Sequence, residues 1–363
     1  MADAKTPPYV VDGKMVTVLR GGVGIRVVGD SLAITRQRKA IVAIPAAAVD
    51  TLVVQAFGVD FSSQDAWRCA ELSIAVLFAA PNGPDVAVMS CPQGPHAAVR
   101  RAQSAQKGTG KSRDAAAAML SAKVGNQALV LKYLARAGRR DGRKNVEQLD
   151  QAATGIRELQ AKLESAATMP PTDDEIPKWM GFEGSAAALY WQAVRQLLPG
   201  ELGFEGRCGR GARDPVNQAL NFAYGLLYAE VWRAITRVGL DAGIDLLHSA
   251  ERAGRALVFD LVEELRGPLV DRLVLTLVGR GWRPQTREHD GKVLLTPRDR
   301  YVLVEAWKRQ KPRALRCGRG KVRVQDLALR QAKALKHSCS ASATTTPRFD
   351  FGGNDSTHRP SRN

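Results

Sequence analysis

Four side chains have the types and the spacing for metal-assisted chemistry: Glu183, His248, Asp260 and Glu263. Asp260 and Glu263 stand three apart in the helix-like run ALVFDLVEELRGPLVDRLV, so one helix face carries both carboxylates. Glu264 lies at i+4 from Asp260 and reaches the same face, which leaves the choice between Glu263 and Glu264 open. His248 precedes Asp260 beyond a turn built around Gly254, and Glu183 comes from far upstream, in Gly181-Phe-Glu-Gly184 at the head of another helix. Two or three carboxylates plus one imidazole suit a divalent cation that prefers oxygen and accepts nitrogen. Mg²⁺ or Mn²⁺ fits that donor set better than Zn²⁺. On spacing alone a solvated carboxylate face is the commoner outcome, and the surrounding segment is what argues for a site.

That segment, RDPVNQALNFAYGLLYAEVWRAITRVGLDAGIDLLHSAERAGRALVFDLVEELRGPLVDRLV, carries an ordered set of features. Asp214-Pro-Val-Asn217 comes first, then Tyr224, then Gly239-Leu-Asp241, then the histidine and a Leu-rich Asp-x-x-Glu helix ending near Arg266. Upstream stand Phe182-Glu-Gly-Ser-Ala-Ala-Ala-Leu-Tyr190, Ala122-Lys-Val-Gly-Asn-Gln127 and Val99-Arg-Arg-Ala-Gln103. Each motif is weak alone, but their order and spacing resemble the CRISPR adaptation integrases, the Cas-one family, from about Tyr9 to about Val304.

The resemblance implies that Glu183, His248 and Glu263 are the ligands of a Mg²⁺ or Mn²⁺ ion and that Asp260 is their acidic neighbour. It implies DNA contacts from Lys123, Arg213, Asn217, Arg255 and Arg266, with Tyr224 beside the active site; core packing is the alternative for Tyr224. Asn126 has two readings, a contact with DNA or a helix-to-helix hydrogen bond. The implied activity is an integrase and endonuclease that joins the 3′-hydroxyl ends of a short captured DNA to a repeat array by transesterification. The implied partners are DNA, a second copy of the chain in a homodimer, and a small ferredoxin-like protein of the Cas-two family. A stand-alone metal-dependent nuclease, or the integrase of a mobile element, would present the same residues. A DNA-binding scaffold with an inactive site is the non-enzymatic alternative, and the intact acidic and imidazole set argues against it.

The charge distribution agrees with a polyanionic partner. The net charge is +17 over 363 residues. Residues 1–98 hold 8 Lys+Arg against 8 Asp+Glu, whereas residues 305–363 hold 14 against 4. The first domain is therefore a poor candidate for gripping DNA unaided. Five cysteines (Cys69, Cys91, Cys208, Cys317 and Cys339) form no C-x-x-C pair, which argues against a zinc ribbon or a disulfide framework and for reduced thiols in the cytoplasm. No apolar signal core opens the chain and no apolar run reaches membrane-spanning length, so no membrane association is expected.

The elements that must position these residues follow from periodicity. MVTVLR, GIRVV, SLAITR, IVAIP, TLVVQAF, SIAVLFAA and DVAVMS read as strands, with Gly29-Asp30 as a hairpin turn. SSQDAWRCAEL reads as one short helix capped by Ser62 or Ser63. Helical spacing takes over after CPQGPHAA, and GWRPQTREHDGKVLLTPRD reads as a hairpin leading into a helix. The expected fold is α+β: a small β-rich domain over 1–96 that is the candidate for dimerisation, a larger all-α catalytic domain over 97–337, and a disordered basic tail over 338–363. Ala105-Gln-Lys-Gly-Thr-Gly-Lys-Ser112 looks like the end of a P-loop, but it lacks the first glycine and follows a helix, so a basic loop through Lys107, Lys111 and Arg113 is expected instead.

Overall fold

The computed structural model describes residues 7–81, 86–89, 96–143, 146–169, 175–209, 211–245, 255–289, 291–318 and 320–339. His248, residues 91–95 of the expected domain boundary and residues 340–363 of the expected tail lie outside them. The chain forms two compact units, each drawn from three stretches. One unit is Met1–Ala105, Leu198–Ala242 and Leu273–Arg309; the other is Gln106–Leu197, Gly243–Arg272 and Gln310–Asn363. Strands come first and helices after, as the α+β reading expects. Among the described residues no helix is long and apolar enough to cross a membrane.

The first unit opens with β1 (Tyr9–Asp12), β2 (Met15–Val18), β3 (Val23–Val28), β4 (Ser31–Arg36), β5 (Lys39–Pro45), β6 (Thr51–Val54), β7 (Val59–Phe61), α1 (Ser63–Glu71), β8 (Ala75–Ala79) and β9 (Val86–Met89). These make two sheets, ordered β1-β2-β6-β8-β9 and β5-β4-β3-β7. β2, β6 and β8 run parallel at the centre of the first sheet, with antiparallel strands at its edges. Their continuous apolar runs fit burial on both faces: Val16, Val18, Leu52 and Val76 are fully buried, together with Ile25, Leu32 and Ile34 from the second sheet. Val28 pairs with Ser31 across Gly29-Asp30, and Gly29 adopts φ +57°, the left-handed backbone that this two-residue turn demands. Ser62 is the cap of α1, accepting from the Asp65 amide, and Asp65 in turn accepts from the Val27 amide. β1 and β7, of four and three residues, escaped the sequence reading.

The same unit contains α2 (Ala97–Gln106), α6 (Pro215–Val238), the hairpin β10 (Thr286–His289) with β11 (Lys292–Leu295), and α9 (Pro297–Gln310). Gln55, at the end of β6, donates to the Phe222 carbonyl of α6 at 2.9 Å. A Cβ at Gly225 would stand 2.4 Å from Gln55 Nε2, so only glycine leaves room for that contact. Arg300 is buried and donates to the carbonyls of Leu295 and Leu19 at 3.1 and 3.2 Å.

The second unit is mostly helical. Its long element is α3 (Gly110–Arg140), followed by α4 (Val146–Ala167), α5 (Glu175–Leu197), α7 (Ala256–Leu265), the hairpin β12 (Ala314–Cys317) with β13 (Gly320–Arg323), and α10 (Val324–Ser338). Between α7 and α8 (Arg272–Gly279) lies a π-helical segment, Arg266–Asp271. α3 and α4 meet around a buried polar cluster in which Ser121 and Gln160 both donate to Glu164, and Gly125 faces Gln160 with no room for a Cβ. Arg113 joins α3 to α5 through two 2.8 Å bonds to Glu175, and its guanidinium covers Trp179 at 5.2 Å. Lys111 and Arg113 are thus helical residues and not part of a basic loop. Lengthening of α3 to Gly110 absorbs them.

Candidate active site

α7 is apolar on every side, with Leu257, Val258, Leu261, Val262 and Leu265 buried. Its three acids are therefore buried too: Asp260 is 0%, Glu263 6% and Glu264 1% exposed, which makes their partners decisive. Glu264 Oε2 accepts from Gln331 Nε2 of α10 at 2.7 Å. Glu263 divides its two oxygens. Oε1 meets Arg266 at 2.8 Å, and Oε2 meets the Lys123 ammonium of α3 at 2.7 Å. The same ammonium lies 2.7 Å from Glu183 Oε1. Glu183 and Glu263, from two separate helices, thus converge on one positive charge, while Glu264 is held by α10.

Burial opposes the charge on Lys123 more than any other single influence. Glu263 and then Glu183 outweigh it, and the ammonium is held above the usual lysine range. The structure therefore has a nearly buried cation between two carboxylates, and this donor chemistry fits a divalent ion in the same place. Among the described residues no group of three His, Cys, Asp or Glu is gathered closely enough to hold a metal. His248, the third expected ligand, lies outside those residues.

The local backbone explains why α7 holds this geometry. Pro268 has no N–H and cannot return the i−4 hydrogen bond to the Glu264 carbonyl. That carbonyl accepts instead from Asn126 Nδ2 of α3, at 2.9 Å. Asn126 thus makes a helix-to-helix hydrogen bond, and the residue is 1% exposed. The π-helical turn follows at once, a type of irregularity that concentrates at functional sites. Within it, Gly267 faces α3: a Cβ there would stand 3.5 Å from Val130 and 3.8 Å from the Asn126 backbone, ordinary contact distances. On the other side, Tyr190 of α5 donates to Asp271 Oδ2 at 3.0 Å, with both residues buried. Tyr190 is two helical turns beyond Glu183, so this bond fixes the helix that carries Glu183.

The remaining expected contacts have separate places. Glu183 sits inside α5, eight residues beyond its start at Glu175, not at its head; Glu175-Ile-Pro begins the helix earlier than the apolar pattern suggests. Arg255 is the residue before α7, and its carbonyl accepts from the Val258 and Phe259 amides. Arg266 is the partner of Glu263. Arg213, Asn217 and Tyr224 belong to the other unit. Arg213 is exposed just ahead of Asp214, which caps α6. Asn217 is 1% exposed, and its side chain is engaged by its own loop: Nδ2 donates to the Gly206 carbonyl and to Asp214, and Oδ1 accepts from Arg207 and the Cys208 amide. Tyr224 is 4% exposed beneath the Arg207 guanidinium at 5.1 Å. The sequence reading missed Tyr190, Asp271, Gln331 and Arg207. The one signal present was Pro268, whose place inside a helical pattern marks the Glu264 carbonyl as needing another donor.

Residues 16–309 match the family model described as CRISPR associated protein Cas1, and the chain belongs to that family. A curated relative from Pyrobaculum aerophilum, named CRISPR-associated endonuclease Cas1 1, is 34% identical over 276 residues, 76% of this chain and 83% of its own length. Two solved structures share the fold. A casposase bound to an integration product has a TM-score of 0.76 at 20% identity, over 94% of this chain and 96% of that one. A chain of a Cas6-RT-Cas1–Cas2 complex has a TM-score of 0.76 at 19% identity, over 92% of this chain, which spans 36% of that longer polypeptide.

Proposed function

We propose that the protein is a metal-dependent DNA endonuclease and integrase of CRISPR adaptation, which joins the 3′-hydroxyl ends of short captured DNA into a repeat array by transesterification. The observation that carries this is the meeting of Glu183 and Glu263 on one cation, within a chain of the Cas1 family. In this reading Glu183, Glu263 and His248 hold Mg²⁺ or Mn²⁺, and Asp260 stays buried beneath them. When bound, the ion supplies charge for the scissile phosphate and lowers the pKa of the attacking hydroxyl. Arg266 keeps Glu263 Oε1 engaged, so that Oε2 alone faces the shared cation. Asn126 and Tyr190 keep α7 and α5 in place around it. His248 would bind as neutral imidazole, so acid weakens the site.

The basic surface provides the grip on the DNA backbone, with Arg213 and Arg255 among its phosphate contacts. A second copy of the chain and a small ferredoxin-like Cas-two protein complete the assembly, since insertion at two separated strands needs two active sites. A Cas1 chain of this fold solved in a Cas1–Cas2 complex supports that partner. The test uses labelled 3′-hydroxyl duplex and a repeat-containing plasmid with Mg²⁺ or Mn²⁺. Glu183→Ala, His248→Ala and Glu263→Ala are each expected to abolish joining and leave duplex binding nearly unchanged, because affinity comes from phosphate neutralisation. Activity retained in Glu263→Ala and lost in Glu264→Ala would reverse the ligand assignment.

A further inference from the structure

We infer that Lys123 is a resident cation that occupies the metal position in the metal-free protein and is displaced when the metal arrives. This rests on the reading of Glu183 and Glu263 as metal ligands. Three observations carry it. The ammonium stands 2.7 Å from one oxygen of each carboxylate, the distance of a full ion pair to both. The oxygen it takes from Glu263 is Oε2, the other one being occupied by Arg266. The three side chains are nearly closed to water, at 18%, 12% and 7% exposure, so solvent screens their charges little.

Charge balance then decides what happens on metal binding. Lys123 and Arg266 together neutralise Glu183 and Glu263. A divalent ion added to that balanced set would face the ammonium at close range in a weakly screened site. One compact point charge on a flexible four-carbon stem can withdraw, whereas the planar Arg266 fork is fixed by its own geometry. Lys123 therefore has two roles in sequence. Without metal it prevents the carboxylates from repelling each other and pushing α5 and α7 apart. With metal it leaves the pair, and its charge becomes available to a bound phosphate. Lys123 is a positioning residue, acting through the carboxylates.

The consequence is a competition that can be measured without turnover. A unit charge about 4 Å from a divalent ion, at an effective dielectric constant of about 20, changes that ion's affinity by up to roughly a millionfold. Rearrangement of the freed side chain recovers part of this, so a tenfold or greater effect of removing the charge is expected.

The experiment titrates Mn²⁺ into the full-length chain and follows the free-ion electron paramagnetic resonance signal. It compares the wild type with Lys123→Met, Lys123→Gln, Lys123→Arg and Glu263→Gln, with melting curves in Mn²⁺ and in chelator. Lys123→Met and Lys123→Gln are expected to bind Mn²⁺ at least tenfold more tightly, to melt lower in chelator, and to gain more from Mn²⁺ than the wild type gains. Lys123→Arg, which keeps the charge but on a fork that withdraws less readily, is expected to bind Mn²⁺ more weakly than the neutral variants and no more tightly than the wild type. If Lys123→Met does not fold, Lys123→Gln gives the neutral comparison, and if neither folds without metal the pair is purified in Mn²⁺ and titrated by chelator. Equal or weaker Mn²⁺ binding in the neutral variants, with the wild type binding normally and Glu263→Gln binding poorly, overturns the inference and leaves the metal site standing. Indistinguishable Mn²⁺ binding by the wild type and Glu263→Gln overturns the metal site, and the inference falls with it.

Discussion

Asn126 and Pro268 should be thermodynamically coupled, because one residue replaces what the other removes. Asn126 Nδ2 donates to the Glu264 carbonyl at 2.9 Å, and Pro268 is the residue whose N–H would otherwise reach that carbonyl. Asn126→Ala strips a buried carbonyl of this donor, and a buried group losing its hydrogen bond costs about 1–3 kcal/mol. In a Pro268→Ala background the new amide at 268 can close the i−4 bond, so the same substitution is expected to cost about 1 kcal/mol less. The cavity left by the shortened side chain enters both arms equally and cancels in the cycle. The assay is urea unfolding of the four chains by circular dichroism, extrapolated linearly to water. A coupling within about 0.3 kcal/mol of zero would refute the claim that Asn126 stands in for the missing amide.

Tyr190→Phe removes a hydroxyl bonded to the buried Asp271 carboxylate at 3.0 Å; a loss of about 1.5–3 kcal/mol is expected by the same unfolding assay, with weaker Mn²⁺ affinity because α5 carries Glu183. Gly225→Ala drives a Cβ to within 2.4 Å of Gln55 Nε2 and should destabilise by about 1–3 kcal/mol, and Gln55→Ala in the same chain should relieve most of the clash in melting curves. Burial, with a smaller part from Asp65, pushes the Cys69 thiol up to about 11, so at pH 8 a thiol reagent should label exposed Cys208 and spare Cys69 until the chain unfolds. The folded state then retains the Cys69 proton above the free-thiol value of about 8.5, so this group's contribution to stability is complete below that pH and falls as pH rises to about 11. Arg309, Arg313 and Arg316 are exposed whereas Lys311 is buried. Neutralising the three arginines should therefore lower the slope of log K against log salt by up to about 0.9 for each DNA phosphate that is no longer neutralised, and Lys311→Gln should disturb folding instead.

Much of the secondary structure was legible because it depends on local period and local caps. β2 to β6, β8 and β9 fall on the runs read as strands, and α1 starts at the Ser62 cap. The hairpin and helix after Trp282 follow from alternation and from Thr296-Pro297. The pattern Asp260-x-x-Glu263 likewise placed two carboxylates on one helix without any tertiary information. The sequence alone did not decide between Glu263 and Glu264, because adjacent residues on a helix buried all round have equal claims until a neighbour is present. In the structure the two differ in their partners: α10 supplies Gln331 to Glu264, and α3 supplies Lys123 to Glu263. The hydrogen bonds of Asn126 and Asn217 came from packing in the same way, since an amide side chain suits a loop or a freed carbonyl equally well, and only the groups packed beside it distinguish them. The meeting of Glu183 with Glu263 depends on residues eighty positions apart, and it exists only because α3 sets a single ammonium between the helices that carry them.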